Sequence, residues 1–320
     1  MEEILVSIHC ITYNHEKYIS DAIDSFLMQK TDFKYEILIH DDASTDRTAE
    51  IILEYEKAYP NLIKPIYQTE NQYSRGIPFE DFNFNRAEGK YIAFCEGDDF
   101  WTDPYKLQKQ VDYMESHPEC SLCVHAGKIV TALGKNIISY NRPHRGSKLF
   151  GVSEIIEGGG GLFLTNSMLC LTGFIKNSPT FVKKAPVSDY PTVINLSLLG
   201  KVYYMDGFMS CYRVGDNESW TNRIYSDIEK RKQHYDEITE MLNEINLYTN
   251  YKYDEVIAKT IFQNRLSILL EERKFKEIKT GQNKAYYIRL GLKRKLIILL
   301  TQYYPNLLEI LKSAKRKLVR

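Results

Sequence analysis

Residues 4–15 read Ile4-Leu5-Val6-Ser7-Ile8-His9-Cys10-Ile11-Thr12-Tyr13-Asn14-His15. The run from Ile4 to Ile11 is short, apolar and rich in β-branched residues, which predicts a strand. It stops at a polar triplet, Thr12, Tyr13 and Asn14. A helical pattern follows over Glu16–Gln29, where Ile19, Ile23, Phe26 and Leu27 recur at the spacing of one helix face. The alternation then repeats. Tyr35 to His40 reads as a second strand, and Asp46 to Tyr59 as a second helix with Ser44 and Thr45 as candidate caps. Leu62 to Tyr67 reads as a third strand; a Gly/Pro-containing loop, a short helix around Glu80 to Ala87 and a fourth strand, Tyr91 to Cys95, complete the series. Strands alternating with helices predict an α/β domain with a largely parallel sheet.

In such sheets ligands collect beyond the carboxyl ends of the strands. Thr12, Tyr13 and Asn14 fall there after the first strand, Asp41 and Asp42 after the second, and Glu96, Gly97, Asp98 and Asp99 after the fourth. Carboxylates crowded into one crevice repel each other, and a bound divalent cation removes that repulsion. Mg2+ or Mn2+ takes one or two carboxylates together with substrate phosphates, so the pattern points to a metal–diphosphate site. Taken alone, Asp98-Asp99 reads equally well as a cap leading into Trp101-Thr102-Asp103-Pro104.

Three blocks in order carry a more specific signal. They are Ser7–His15, Glu36-Ile37-Leu38-Ile39-His40-Asp41-Asp42-Ala43-Ser44-Thr45-Asp46, and Gly89-Lys90-Tyr91-Ile92-Ala93-Phe94-Cys95-Glu96-Gly97-Asp98-Asp99. Together they resemble the family 2 glycosyltransferases of the GT-A fold, strongly over residues 4–125 and more loosely over 150–220. The resemblance implies an inverting transfer from a nucleotide-diphosphate sugar to a glycan or lipid-linked acceptor, of the kind used in bacterial surface polysaccharide synthesis. By position, Tyr13 beside Thr12 would pack on the nucleotide base, Asp42 would accept a hydrogen bond from base or ribose, and Asp41 would support the turn. Glu96, Asp98 and Asp99 match the metal motif, with Glu96 where an aspartate is usual, so which acid touches the metal stays open. Arg75 or Arg86 could meet diphosphate oxygens through a guanidinium fork, and each is equally readable as a surface residue.

An inverting transfer also needs a general base across the sugar from the metal. Asp189, in Ser188-Asp189-Tyr190-Pro191-Thr192 ahead of a helix to about Leu199, matches the family's base; the plainer reading is a first-turn acid that complements the helix dipole. Tyr212–Trp220 resembles the loop that closes over donor diphosphate, with Gly215 where relatives carry histidine and Asp216 as a substitute. Gly160, Gly161, Thr165 and Ser167 lie where relatives line the acceptor pocket, beside a glycine run, 157–161, that reads as a flexible joint.

The composition, 43% hydrophobic and 26% charged, is that of a soluble globular protein, and the zero net charge is unevenly spread. Residues 1–220 hold 21 Lys/Arg against 30 Asp/Glu, whereas 221–320 hold 21 against 12. The pattern is almost wholly helical from Ser226, so a GT-A transferase domain is expected over 1–222 and a basic helical extension over 223–320. The sequence lacks a secretory start and any apolar run near the roughly 20 residues a membrane span needs, so a cytoplasmic protein is expected. Residues 281–320, with ten Lys/Arg and one acid among aromatic and aliphatic residues, suit peripheral contact with an anionic membrane; a packed extension with a solvated basic face is the plainer account. No nucleic-acid reading motif accompanies that charge. Six cysteines in strand-like surroundings read as reduced thiols, and the His117, Cys120, Cys123, His125 spacing fails a zinc site because Cys120 and Cys123 point to opposite faces of a strand. A nucleotidyltransferase acting on a sugar phosphate is disfavoured because Thr12–His15 occupies the place of its Gly-rich phosphate loop; a non-catalytic nucleotide-sugar binder is separated from an enzyme by the placement of Asp189.

Overall fold

The computed structural model describes residues 3–78, 80–134, 136–215, 224 and 226–307. The chain divides into two compact units, Met1–Arg223 and Ile224–Arg320.

The first unit is built on one mixed sheet. Strand β1 (Ile4–Thr12) lies between β2 (Lys34–Asp41) and β4 (Tyr91–Phe94), parallel to both, and β3 (Ile63–Tyr67) continues the parallel set beyond β2. Past β4 the direction changes. The short β9 (Leu169–Leu171) runs antiparallel to β4 and to β6 (Cys120–Thr131), and β10 (Lys201–Val214) lies parallel to β6. Three short strands edge this half: β5 (Phe100–Trp101) and β8 (Lys148–Phe150) on β10, and β7 (Ile137–Asn141) on β6.

Helix α1 (Ile19–Leu27) turns Ile19, Ala22, Ile23 and Phe26 onto Val6, Ile8, Cys10, Ile37 and Ile39, all fully buried. Phe26 meets Trp101 edge to face at 4.9 Å between ring centroids. Burying such a stripe on a sheet face is what makes a nine-residue helix stable. Helix α4 (Lys106–Ser116) adds Leu107, Val111 and Met114 to the same core. At the start of α2 (Thr48–Ala58) the expected caps are corrected: the side chain of Asp46 accepts from the Thr48 amide at 2.9 Å, while Ser44 donates backwards to Asp41. Short helices α3 (Asp81–Arg86), α5 (Val152–Gly158), α6 (Thr172–Lys176) and α7 (Thr180–Lys183) lead to α8 (Asp189–Leu199), which is buried along most of its length.

Register brings the polar strand ends together. Thr12 pairs with Asp41 across β1 and β2, and Gly97 donates to the Ile11 carbonyl at 2.8 Å, so the Glu96–Asp99 turn sits at the same sheet edge as the other two.

The second unit is helical: α9 (Ile228–Tyr248), α10 (Asp254–Glu271), α11 (Phe275–Lys279), α12 (Lys284–Arg289) and α13 (Leu292–Tyr303). Asp227 caps α9, its carboxylate accepting from the Glu229 amide at 2.8 Å. Phe262, Leu266, Leu269, Ile278 and Ile298 form its core, and Lys232 pairs with Glu272 at 2.5 Å. Among the described residues no helix is long and apolar enough to cross a membrane.

Candidate active site

The first two strand ends are tied into one another. Asn14, at φ 55°, donates from its amide to the Ser44 hydroxyl at 2.9 Å, and its side-chain oxygen accepts from the Thr45 amide at 2.8 Å. Asparagine tolerates this left-handed backbone better than most residues. Thr12 is buried with its hydroxyl 3.1 Å from His15 Nδ1, and Tyr13 between them is 43% exposed. Asp41 is buried; its carboxylate accepts from the hydroxyl and amide of Ser44, and burial outweighs those bonds to hold its pKa above the ordinary range. Asp42, 2% exposed, accepts from the Gln72 amide at 2.7 Å on one oxygen and from the Tyr73 amide at 3.0 Å on the other. Its carboxylate is thus anchored to the 72–73 loop with one bond on each oxygen, which leaves acceptor capacity on both.

The third strand end is different. Gly97 packs so closely on β1 that an added Cβ would fall 2.6 Å from the Thr12 hydroxyl, so a side chain there would force the turn off the strand. Asp99 is buried: one oxygen accepts from the Arg213 amide at 2.8 Å and the other from the Asn166 side-chain amide at 2.8 Å. Asn166 also donates to the Cys211 carbonyl and accepts from Ser210, while Trp101 donates to its carbonyl. The Arg213 guanidinium bonds the Asp98 carbonyl at 2.6 Å, pairs with Asp21, and lies between the rings of Tyr18 and Phe100. These contacts make Asp99 and Arg213 the fastening of the turn. Glu96 and Asp98 remain, both half-buried. Glu96 Oε2 is enclosed with no hydrogen-bond partner, and burial, then the neighbouring charge of Asp98, raise the Glu96 pKa to about 8.

Asp189 opens α8, its carboxylate accepting from the Tyr190 amide at 2.7 Å, with burial raising its pKa. It borders a small cavity with Gly159, Gly160, Leu162, Phe163 and Tyr190. The glycine run is part of this wall and not a bare joint: a Cβ on Gly160 would lie 3.9 Å from both Asp189 oxygens. The negative charges of Asp189 and Glu80 both act on Glu96, which puts the acids of β4, α8 and the loop before α3 within electrostatic reach of each other. Glu80 itself is raised to about 7, by burial first and then by Asp189, with a Ser188 hydrogen bond opposing.

Residues 7–163 match the model of glycosyl transferase family 2. That stretch of the chain is a domain of that family. Among curated relatives of this glycosyltransferase chain, an uncharacterized protein of Mycobacterium bovis is 47% identical over 125 residues, 39% of this chain and 36% of that protein. The putative teichuronic acid biosynthesis glycosyltransferase TuaG of Bacillus subtilis is 38% identical over 110 residues, 34% of this chain and 42% of its own length. The matched stretch therefore spans well under half of each relative. Among solved structures, Staphylococcus aureus TarS 1–349 with UDP-GlcNAc superposes with TM-score 0.61 at 17% identity, covering 91% of this chain and 78% of that one. The Pyrobaculum calidifontis mannosyltransferase PcManGT with GDP-Man and Mn2+ superposes with TM-score 0.59 at 14% identity over 95% and 85%. The fold is accordingly the GT-A type, followed along the chain by the helical unit.

Arg75, Arg86 and Ser167, also expected at the transferase site, each have partners of their own. Arg75 is exposed and pairs with Glu70. Arg86 donates to the Ile39 carbonyl at 3.1 Å and to Asn83 at 2.7 Å, and its partial burial lowers its pKa to about 10, so its fork serves the sheet edge. Ser167 is buried and donates to the Leu164 carbonyl at 2.6 Å. Asp216 and the rest of the closing loop through Trp220 lie outside the described residues. Glu80 and Asn166 had no signal in the sequence: each is a polar residue whose partners are distant along the chain.

Proposed function

We propose that the first unit is an inverting glycosyltransferase domain that moves a sugar from a nucleotide-diphosphate sugar to a hydroxyl of a glycan or lipid-linked acceptor, in the synthesis of a cell-surface polysaccharide. The reading is supported by the family, by a relative named for teichuronic acid synthesis, and by structural neighbours solved with UDP-GlcNAc and GDP-Man. The observation that carries it is Glu96, whose carboxyl pKa is held up by burial and by the charges of both Asp98 and Asp189. A diphosphate site and a base must flank one sugar, the part proposed for Asp98 and Asp189, with Glu96 responding to both.

Each residue then has a task. Tyr13, exposed beside β1, presents a ring to the nucleotide base. Glu96 and Asp98 suit a divalent cation, Mn2+ or Mg2+, because an enclosed oxygen without a partner and two adjacent carboxylates form the small oxygen set such ions take with diphosphate. Asp99, with each oxygen already bonded to a protein donor, is proposed as the support of that set, and among the described residues no group of three or more ligand side chains converges. The cation would neutralise charge gathering on the departing diphosphate. Asp189 accepts the proton of the acceptor hydroxyl as that oxygen attacks the anomeric carbon from the face opposite the diphosphate. Burial raises its pKa, which brings it closer to the hydroxyl's and makes it a stronger base. The half-buried position also strengthens its pull on the proton.

The second unit, with its basic surface, is proposed to hold the enzyme against the inner face of an anionic membrane through residues 281–320, where a lipid-linked acceptor would be presented. The proposal is tested by thermal melts of the full chain with a panel of nucleotide diphosphates and Mn2+, since a ligand that binds only the folded state raises its stability. The nucleotide so identified is then supplied as its sugar conjugates, and the product's anomeric configuration is read by NMR. Retention of configuration, or binding with no transfer to glycan and lipid acceptors, contradicts the reading.

A further inference from the structure

Helix α13 carries an apolar stripe that the described residues of the second unit leave uncovered. Leu292, Leu296, Leu299 and Tyr303 follow one another at intervals of four, three and four residues, so they lie along one face. Their exposures are 86%, 55%, 45% and 61%. Single exposed leucines are ordinary on a protein surface, but a continuous row is not. The helix is nevertheless firmly seated: Ile298, 1% exposed, is part of the core with Phe262, Leu266, Leu269 and Ile278. The uncovered stripe is therefore displayed by an anchored helix, and not by a frayed one.

The charge around it says what it fits. Lys293 and Lys295 flank the stripe on its two sides, and Lys295 is held in place by a 2.6 Å bond from Nζ to the Ile288 carbonyl. Residues 281–307 contain five Lys/Arg and no Asp or Glu. Ile288, 59% exposed, and Tyr304, 58% exposed, extend the apolar and aromatic surface. The cores of protein interfaces are depleted of lysine, whereas a leucine stripe bordered by lysines with tyrosines at its end is the composition of a helix lying in the headgroup region of an anionic bilayer. At 12 residues α13 is too short to span one.

We infer that the Leu292–Leu296–Leu299–Tyr303 face of α13 seats in the interface of an anionic lipid bilayer, with Lys293 and Lys295 at the phosphate level. This rests on the proposed membrane contact of residues 281–320 and adds which side chains enter the lipid. Deleting the segment is a poor test, because it would also strip Ile298 from the core. The full chain is floated instead with vesicles of phosphatidylcholine containing phosphatidylglycerol, and with phosphatidylcholine alone. The wild type is expected to float with the anionic vesicles only. Leu296→Asp with Leu299→Asp, two exposed positions whose change leaves the core intact, is expected to weaken partitioning by about tenfold or more, with an unchanged circular dichroism melt. Leu133→Asp, at another exposed leucine of 71% accessibility, is the control and leaves binding as it was. In a separate variant, Leu299→Trp, emission shifts to the blue on vesicle addition. A wild type that ignores anionic vesicles overturns both the face and the broader membrane reading. A wild type that floats together with an equally bound Leu296→Asp/Leu299→Asp variant overturns the face alone. A wild-type dimer in solution that these two substitutions split, without vesicle binding, assigns the face to a second copy of the chain and overturns the lipid.

Discussion

The two acidic turns at the carboxyl edge of the sheet look alike in sequence and behave as opposites in the fold. In Asp41–Ser44 both carboxylates are consumed by nearby backbone and hydroxyl donors, from Ser44 for Asp41 and from Gln72 and Tyr73 for Asp42. In Glu96–Asp99 only Asp99 is consumed, by donors 67 and 114 residues away, and Glu96 is left with an enclosed oxygen that nothing satisfies. The first turn is at rest without a ligand. The second holds like charges together, a cost to the folded state that a cation would offset. Acidity at a strand end thus marks where a site is, and unsatisfied acidity marks what in it does the binding.

The sharpest way to break that contrast is to remove one charge from each turn. Asp98→Asn is expected to abolish metal-dependent nucleotide binding by calorimetry, yet to leave the metal-free melting temperature unchanged or higher, because it relieves repulsion with Glu96. Asp98→Cys is expected to restore part of the binding with Cd2+ in place of Mn2+, since a thiolate prefers the softer ion. Asp99→Cys should show no such exchange, because its carboxylate touches protein donors and not the metal. Cadmium rescue at Asp99 would reverse the assignment.

Next in size is the base. Asp189→Asn keeps the shape of the α8 start but cannot take a proton, so transfer should fall by at least the ~100-fold typical of losing a general base, with donor affinity little changed. A folded variant with near-normal transfer would move the role elsewhere, and would also remove the reason to place the base on the crevice opposite Glu96.

A smaller effect of the opposite kind is expected in the first turn. Asp42→Asn puts an NH2 where one of two amide donors now bonds, and losing a buried charge-assisted bond costs on the order of 1–3 kcal/mol. Chemical denaturation should show that loss while Asp98→Asn shows none. Equal destabilisation by both would mean that the two turns are alike after all.

Much of the nucleotide half was legible because its elements are local patterns. β1, β2, β3 and β4 begin and end within a residue or so of where the apolar runs do, and α8 and β10 follow the stretch after Ser188 closely. The helix caps were misread because the serine and threonine ahead of α2 have a stronger claim from Asp41 and Asn14. What resisted reading was partnership at a distance. Nothing near Asp99 announces Asn166 or the Arg213 amide, and nothing near Arg86 shows that the Ile39 carbonyl waits for it. Arg213 stood in a quoted motif, but its role as the clamp on the Asp98 carbonyl depends on β10 and β5 lying side by side.

Glu80 belongs to neither turn and gives the finest test of the same idea, that acids left crowded in this crevice lower the stability of the fold. Its carboxyl has a pKa of about 7 in the folded chain against an ordinary 4.5, chiefly through burial and then through Asp189. A raised acid pKa means that the folded state holds the proton more tightly than the unfolded one. The stability linked to it is therefore complete below about pH 4.5 and is lost as pH climbs through about 7. At about 1.36 kcal/mol per pKa step the ceiling is near 3 kcal/mol, and partial exposure brings the expected value to the order of 1 kcal/mol. Glu80→Gln stands in for the protonated form at every pH. In metal-free protein its stability should match the wild type near pH 5 and exceed it by that amount near pH 8, read from urea unfolding at each pH. The gap must widen upward in pH. Curves that stay parallel, or a gap that opens toward acid, would mean that Glu80 is ionised without penalty, and that the crowding in this crevice stops at Glu96, Asp98 and Asp189.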